Sequence, residues 1–185
     1  MHDIEPFYNW RELYDSAEDS KSPFAGAVYS EFTYSNKIYN YYIHPQWDNF
    51  GSANLYIKIL YVDYDEGFAI MELIGEWNDC IENDIMYLKR DVIDQMIPEG
   101  ISKYILICEN VLNFHGSDDC YYEEWNEDVS DSGGWICFVN TLDHVWEEMR
   151  RTLIHHQVNL GKNFNDIHWR KLNPQMFYEL ISKKI

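Results

Sequence analysis

The chain has 185 residues, a formal net charge of −18 and 17% aromatic residues, including 15 Tyr and 7 Trp. That length can bury a substantial core in one domain with extensions or one large domain, and the aromatic content excludes disorder over most of it. No run approaches the ~18 apolar residues of a membrane span, and the amino terminus lacks the basic-then-apolar order of a signal peptide. Four Cys, two of them (Cys108 and Cys137) inside apolar runs, read as buried thiols rather than a disulfide frame. A reducing cytoplasm is the expected setting.

Residues 6–19 carry Phe7, Trp10, Leu13, Tyr14 and Ala17 at helical spacing behind Pro6, which predicts a helix packed on a sheet. Ser20 to Gly26 reads as a linker. Val28 to Tyr34 and Ile38 to Ile43 read as a hairpin about Ser35-Asn36. Its tyrosines (Tyr29, Tyr34, Tyr39, Tyr41 and Tyr42) are too many for one buried face, because each hydroxyl needs a partner. A subunit contact, a groove and an edge hairpin with wet phenols are the alternatives.

His44 to Ser52 reads as a loop and Leu55 to Tyr64 as a long strand, turned at Asp65-Glu66-Gly67 into an antiparallel partner from Phe68 to Trp77. Asn78 or Asp79 can cap a following helix. In that helix Ile81, Ile85, Leu88, Val92 and Met96 share one face, with Glu82, Asp84, Lys89, Arg90 and Asp91 mostly on the other. Pro98 and Gly100 end it. Tyr104 to Cys108 is a short apolar run of the buried parallel type, so a strand–helix–strand crossover is expected. Ser117 precedes a short helix over Asp118 to Asn126, Gly133-Gly134 breaks it, and Trp135 to Val139 forms the next strand. Thr141 is placed to cap a helix with Leu142, Val145, Trp146, Met149 and Leu153 along one stripe. Residues 159–173 look irregular. Pro174 starts a last helix with Met176, Phe177, Leu180 and Ile181 on its apolar side.

The charge is unevenly laid out. Between Tyr104 and Met149 there is no Lys or Arg but there are eleven Asp and Glu; from Arg150 onward there are seven basic and two acidic residues. Either the basic tail docks on its own domain, or the acidic face steers a basic protein partner to it. Nucleic acid is disfavoured, since no continuous phosphate-neutralising patch is present.

The order from Leu55 onward is two strands, helix, strand, short helix, strand, helix. It resembles the STAS fold of anti-sigma-factor antagonists over roughly residues 55–156. The local match is Asn110 to Ser117 (NVLNFHGS), against a family segment like G-V-T-F-I-D-S-S-G. Phe114 falls on the family's Phe, and Ser117 on the first Ser, which in many members is the phosphorylated switch residue. The resemblance implies a non-catalytic regulatory domain that binds another protein. The chain departs from the pattern at Gly116, Asp118 and Asp119, which replace its Asp, second Ser and closing Gly. A phosphate beside two carboxylates is electrostatically opposed, so an ordinary helix cap is the competing role for Ser117.

Catalytic motifs are lacking. No C-x-x-C or H-E-x-x-H spacing occurs, the acidic run lacks a calcium loop's alternation, and His115 and Asp119 stand where an esterase elbow needs Gly. Glu72 and Glu76 lie on one face of an otherwise apolar strand, and a carboxylate pair in a cleft is conceivable there. The expectation is therefore an α/β domain of STAS-like type with a mixed sheet. It divides into an amino-terminal helix and hairpin (1–54), a core (55–156) and a carboxy-terminal arm with a helix (157–185). No cofactor, metal or membrane contact is expected. The interaction surface is placed at Ser117, Asp118, Asp119, Glu123, Glu124 and Glu127. The alternative is a small-molecule-binding protein or hydrolase with an aromatic-lined pocket at Tyr39, Tyr41, Trp47, Glu72 and Trp77. A homodimer through the tyrosine-rich hairpin is a third arrangement.

Overall fold

A sheet of four strands forms the centre of the fold. The structure, a computed structural model, describes residues 4–185. A small hairpin of β1 (Lys37–Ile38) and β2 (Tyr41–Tyr42) precedes the sheet. β3 (Leu55–Asp63) pairs antiparallel with β4 (Phe68–Asn78). β4 pairs parallel with β5 (Lys103–His115), and β5 parallel with β6 (Trp135–Val139). The mixed α/β class read from the sequence is the class found, with both parallel pairings in place.

The turn from β3 to β4 is made by Asp63, whose Oδ1 accepts the Asp65 and Glu66 N–H groups. Gly67 follows at φ +68°, and a Cβ there would meet the Gly100 carbonyl oxygen at 2.8 Å, so no other residue fits this turn.

Helices cover one sheet face. α1 (Asp84–Tyr87), a π-helical stretch (Leu88–Ile93) and α2 (Asp94–Met96) follow one another directly. α3 (Cys120–Ser130) and α4 (Asp143–Arg151) flank them in the chain around β6. Ala69, Met71, Leu73 and Trp77 of β4 pack here with Leu88, Val92, Tyr122, Trp125 and Met149. On the opposite face Phe68 and Ile70 lie under Trp10, Trp169, Phe177 and Ile181. The last two belong to α5 (Pro174–Ser182), started by Pro174 and capped by Asn173, whose Oδ1 accepts the Met176 N–H. Both chain ends thus cover the same face, each buried aromatic contributing ~2–3 kcal/mol.

Several expectations are corrected. Residues 6–19 form successive turns, not a helix. Asp15 Oδ1 takes the Ala17 N–H, and the Phe7 N–H goes out to Glu72, so side chains and tertiary contacts outbid the helical ladder. Tyr8 and Leu13 stand 67% and 61% exposed. The hairpin turns about Tyr39-Asn40, with Tyr39 at φ +52°, so the run expected as its second strand folds on itself. Ile81 is 81% exposed and lies before the helix, whose amino end is set by Asp79 Oδ1 accepting the Ile85 N–H. Lys89, expected outside, is fully buried: it lies four residues after Ile85 and three before Val92, beside the apolar face. β5 runs seven residues beyond Cys108. Thr141 does not cap α4: Leu142 holds that position, and the Thr141 backbone N–H and hydroxyl both bond to Asn165. Leu153 lies beyond α4 at φ +64° and is 54% exposed, and Met176 is 53% exposed.

Candidate functional site

The acidic rim is built on α3. Its helical register turns Tyr122, Trp125 and Val129 inward and leaves Glu123, Glu127 and Asp128 exposed, with Glu124 half-buried. Ser117 and Asp118 are exposed on the connection before it, and Asp119 is half-buried. Ser117 does not cap the helix: α3 begins at Cys120, and Asp119 holds the cap position without a side-chain bond. The extension of β5 through His115 moves the helix start beyond Ser117. Asp118 Oδ1 accepts the Cys120 N–H, and hydrogen bonds from the Cys120 thiol and backbone hold the Asp118 carboxyl below its usual pKa.

Two cations from the α1–π stretch neutralise part of this rim. The Lys89 ammonium is buried and lies 2.8 Å from Asp128 Oδ2 and 3.4 Å from Glu124 Oε1, and it also pairs with Asp94. Burial opposes its charge, yet the bonds to Asp128 and Asp94 hold its pKa above the ordinary lysine value. Arg90 grips Glu124 through Nη2 at 2.8 Å and Asp94 through Nη1 at 2.8 Å. The bond to Arg90 holds Glu124 below the usual carboxylate range. The clamp is not expected from the sequence, because its charge places Lys89 outside, although it lies four residues after Ile85 and three before Val92, beside the apolar face.

A second cluster joins the two chain ends. The Glu72 carboxylate, wholly buried on β4, accepts the Phe7 N–H at 2.9 Å on Oε2. On Oε1 it receives Arg170 at 3.2 Å and the Asn110 amide at 3.4 Å. Arg170 also pairs with Glu109, whose Oε2 accepts from Asn140 and from Trp169 Nε1. Burial pushes the Glu72 carboxyl up to about 7, offset in part by the Phe7 N–H and Arg170. The basic arm therefore docks on its own domain at this point.

A third polar centre lies between β4 and α3. The buried Asp79 accepts Trp77 Nε1 at 2.8 Å and the Ile85 N–H at 2.9 Å on Oδ1, and the Tyr122 hydroxyl at 2.7 Å on Oδ2. Burial raises it to about 6.

The five residues expected to line an aromatic pocket do not converge. Trp77 is buried on the helix-covered face with Phe114, Tyr122 and Phe138. Glu72 points to the other face, and Trp47 sits in a separate small cluster with Ile38, Ile43, Tyr56 and Ile74. Tyr39 and Tyr41 are 59% and 57% exposed, and the Tyr39 hydroxyl bonds Glu76. Glu72 and Glu76 thus have separate partners. Among the described residues no group of three His, Cys, Asp or Glu side chains is placed to hold a metal ion, and no helix is long and apolar enough to cross a membrane.

The sheet order and its helices define an α/β protein with a mixed sheet. No protein-family model matches the chain, and no curated protein matches it. Among solved structures, it is similar to a Thermotoga maritima protein described as a candidate anti-sigma factor antagonist. The alignment covers 68% of this chain and 92% of that one, at 21% identity and a TM-score of 0.45.

Proposed function

We propose that this chain is a non-catalytic interaction module that offers the α3 rim to a basic surface of another protein. The observation that carries this reading is the residual charge. Lys89 and Arg90 engage Asp94, Glu124 and Asp128, while Asp118, Glu123 and Glu127 stand exposed with no ion pair among the described residues. Such a field speeds encounter with an oppositely charged partner and weakens with salt. Ser117 lies at its edge, exposed and without a capping role, so it is available as a contact.

The test is capture of a basic protein from native lysate by the chain and by an Asp118→Asn/Glu123→Gln/Glu127→Gln variant, each at low and high salt. Salt-labile capture that the triple variant loses supports the reading. Capture that survives both changes, or no capture at all, overturns it.

Exposed apolar groups favour a second reading. Val28 and Phe32 are 94% and 89% exposed in the segment leading to the hairpin that carries Tyr39 and Tyr41. A homodimer across this surface would bury them. Sedimentation of the chain against a Val28→Ser/Phe32→Ser variant distinguishes the two: a dimer that the variant abolishes supports it, and a monomeric parent ends it.

A further inference from the structure

A cavity of about 840 Å³ opens at the carboxyl end of β6. One wall is the connection from β6 into α4 and the other is the irregular arm over residues 161–171. Two asparagines stitch these walls together. Asn140 accepts the Ile167 N–H and donates to the Ile167 carbonyl, both at 3.0 Å. Asn165 accepts the Thr141 N–H and donates to the Thr141 carbonyl, again both at 3.0 Å. Each side-chain amide thus pairs with the N–H and C=O of a single residue, as a neighbouring antiparallel strand would. Asn140 takes φ +56°, a left-handed conformation that Asn tolerates better than most residues. These bonds hold the two walls of the cavity in place, and its volume is that of small-molecule sites.

Its charges are balanced. Glu109 and Arg170 satisfy each other at its edge. What remains is Lys162 and Lys171 with Asp143 and Asp166, all exposed and none with an ion pair among the described residues. A polyanion would meet the two aspartates, and a simple cation the two lysines.

We infer that this cavity binds a small zwitterion of the α-amino-acid class, with Lys162 and Lys171 receiving the carboxylate and Asp143 and Asp166 the ammonium. The ligand's own side chain has room, since the volume lies within the usual range for small-molecule sites. Because the charged groups are wet, the affinity is modest. The inference is independent of the α3 rim: loss of partner capture leaves it intact, and its own failure leaves the rim reading intact.

The test is calorimetric titration of the full chain with L-alanine, L-glutamate, L-lysine and L-phenylalanine in turn, with acetate, n-butylamine and inorganic phosphate as single-charge-type probes. The expected result is saturation by at least one amino acid with a Kd on the order of 0.1 mM. Lys162→Gln/Lys171→Gln and Asp143→Asn/Asp166→Asn should each weaken it at least tenfold, while all four altered positions are exposed and the circular dichroism stays unchanged. Failure of every amino acid to saturate by about 10 mM overturns the inference. So does binding that either double variant leaves unaltered, or a site filled as well by phosphate or acetate as by amino acids.

Discussion

Arg170 reaches 98 positions back along the chain to lie 3.2 Å from Oε1 of Glu72, a carboxylate with no exposed surface. The same carboxylate holds the Phe7 N–H. One buried acid therefore fastens the amino-terminal turns and the carboxy-terminal arm to the sheet together, and its protonation state is tied to how firmly both are held.

Glu72 should make stability fall as pH rises through neutrality. Its folded pKa, about 7, lies above the ordinary 4.5, so the folded state binds the proton more tightly than the unfolded chain does. That contribution is fully present below about pH 4.5 and is lost as pH rises to about 7, an effect of about 3 kcal/mol. Asp94 and Glu124, held below their usual values, act in the opposite sense and lose their contribution only as pH falls into the acid range. Comparing the urea midpoints of wild type and Glu72→Gln from pH 4.5 to 8 isolates the Glu72 part. The variant should gain on wild type by about 3 kcal/mol across that window. A flat difference would mean that Glu72 is not the group titrating.

Asp79→Ala should cost about 4 kcal/mol, because it strands three donors in the core: Trp77 Nε1, the Ile85 N–H and the Tyr122 hydroxyl. Asp79→Asn should cost about 1 kcal/mol. Its oxygen can keep the Trp77 and Ile85 bonds, and its NH2 group can donate to a rotated Tyr122 hydroxyl. Equal losses in the two variants, read by thermal or urea unfolding, would show that hydrogen bonding is not what Asp79 supplies.

Ser117→Ala should leave stability within about 0.5 kcal/mol of wild type, since the residue is exposed and α3 starts beyond it. A true N-cap would cost about 1 kcal/mol instead. Urea unfolding of this one variant separates the two roles.

The contrast between these residues shows where the sequence is legible. Apolar runs such as Tyr104 to Cys108 and Trp135 to Val139 announce buried strands, because a parallel sheet covered on both faces tolerates little else. Pro174 and Asn173 announce the last helix by local chemistry alone. Residues 6–19 mislead, because their helical spacing serves contacts with Glu72 and Leu172 from distant parts of the chain. The rim's acidic residues are visible in the sequence, but their partial neutralisation is not, since it depends on how the α1–π stretch packs against α3. The Asn140 and Asn165 stitches are equally hidden: each bonds a peptide more than twenty positions away.

Lys89 is the strictest test of that hidden architecture. It is buried among Asp94, Glu124 and Asp128, and joins the α1–π stretch to α3. Lys89→Met keeps the apolar stem but removes the cation, leaving Asp128 unmatched while Arg90 still serves Asp94 and Glu124. The expected loss is about 1 kcal/mol, because the carboxylates left behind are 31–43% exposed and water takes up much of the lost pairing. Added salt should return part of it by screening the remaining carboxylates. Adding Asp128→Asn should also recover part of it, because the unmatched charge is then gone. Urea unfolding of both single variants and the double variant, at low and high salt, measures each term. A Lys89→Met protein that unfolds with wild-type midpoint would mean that the fold buries this lysine without using its charge.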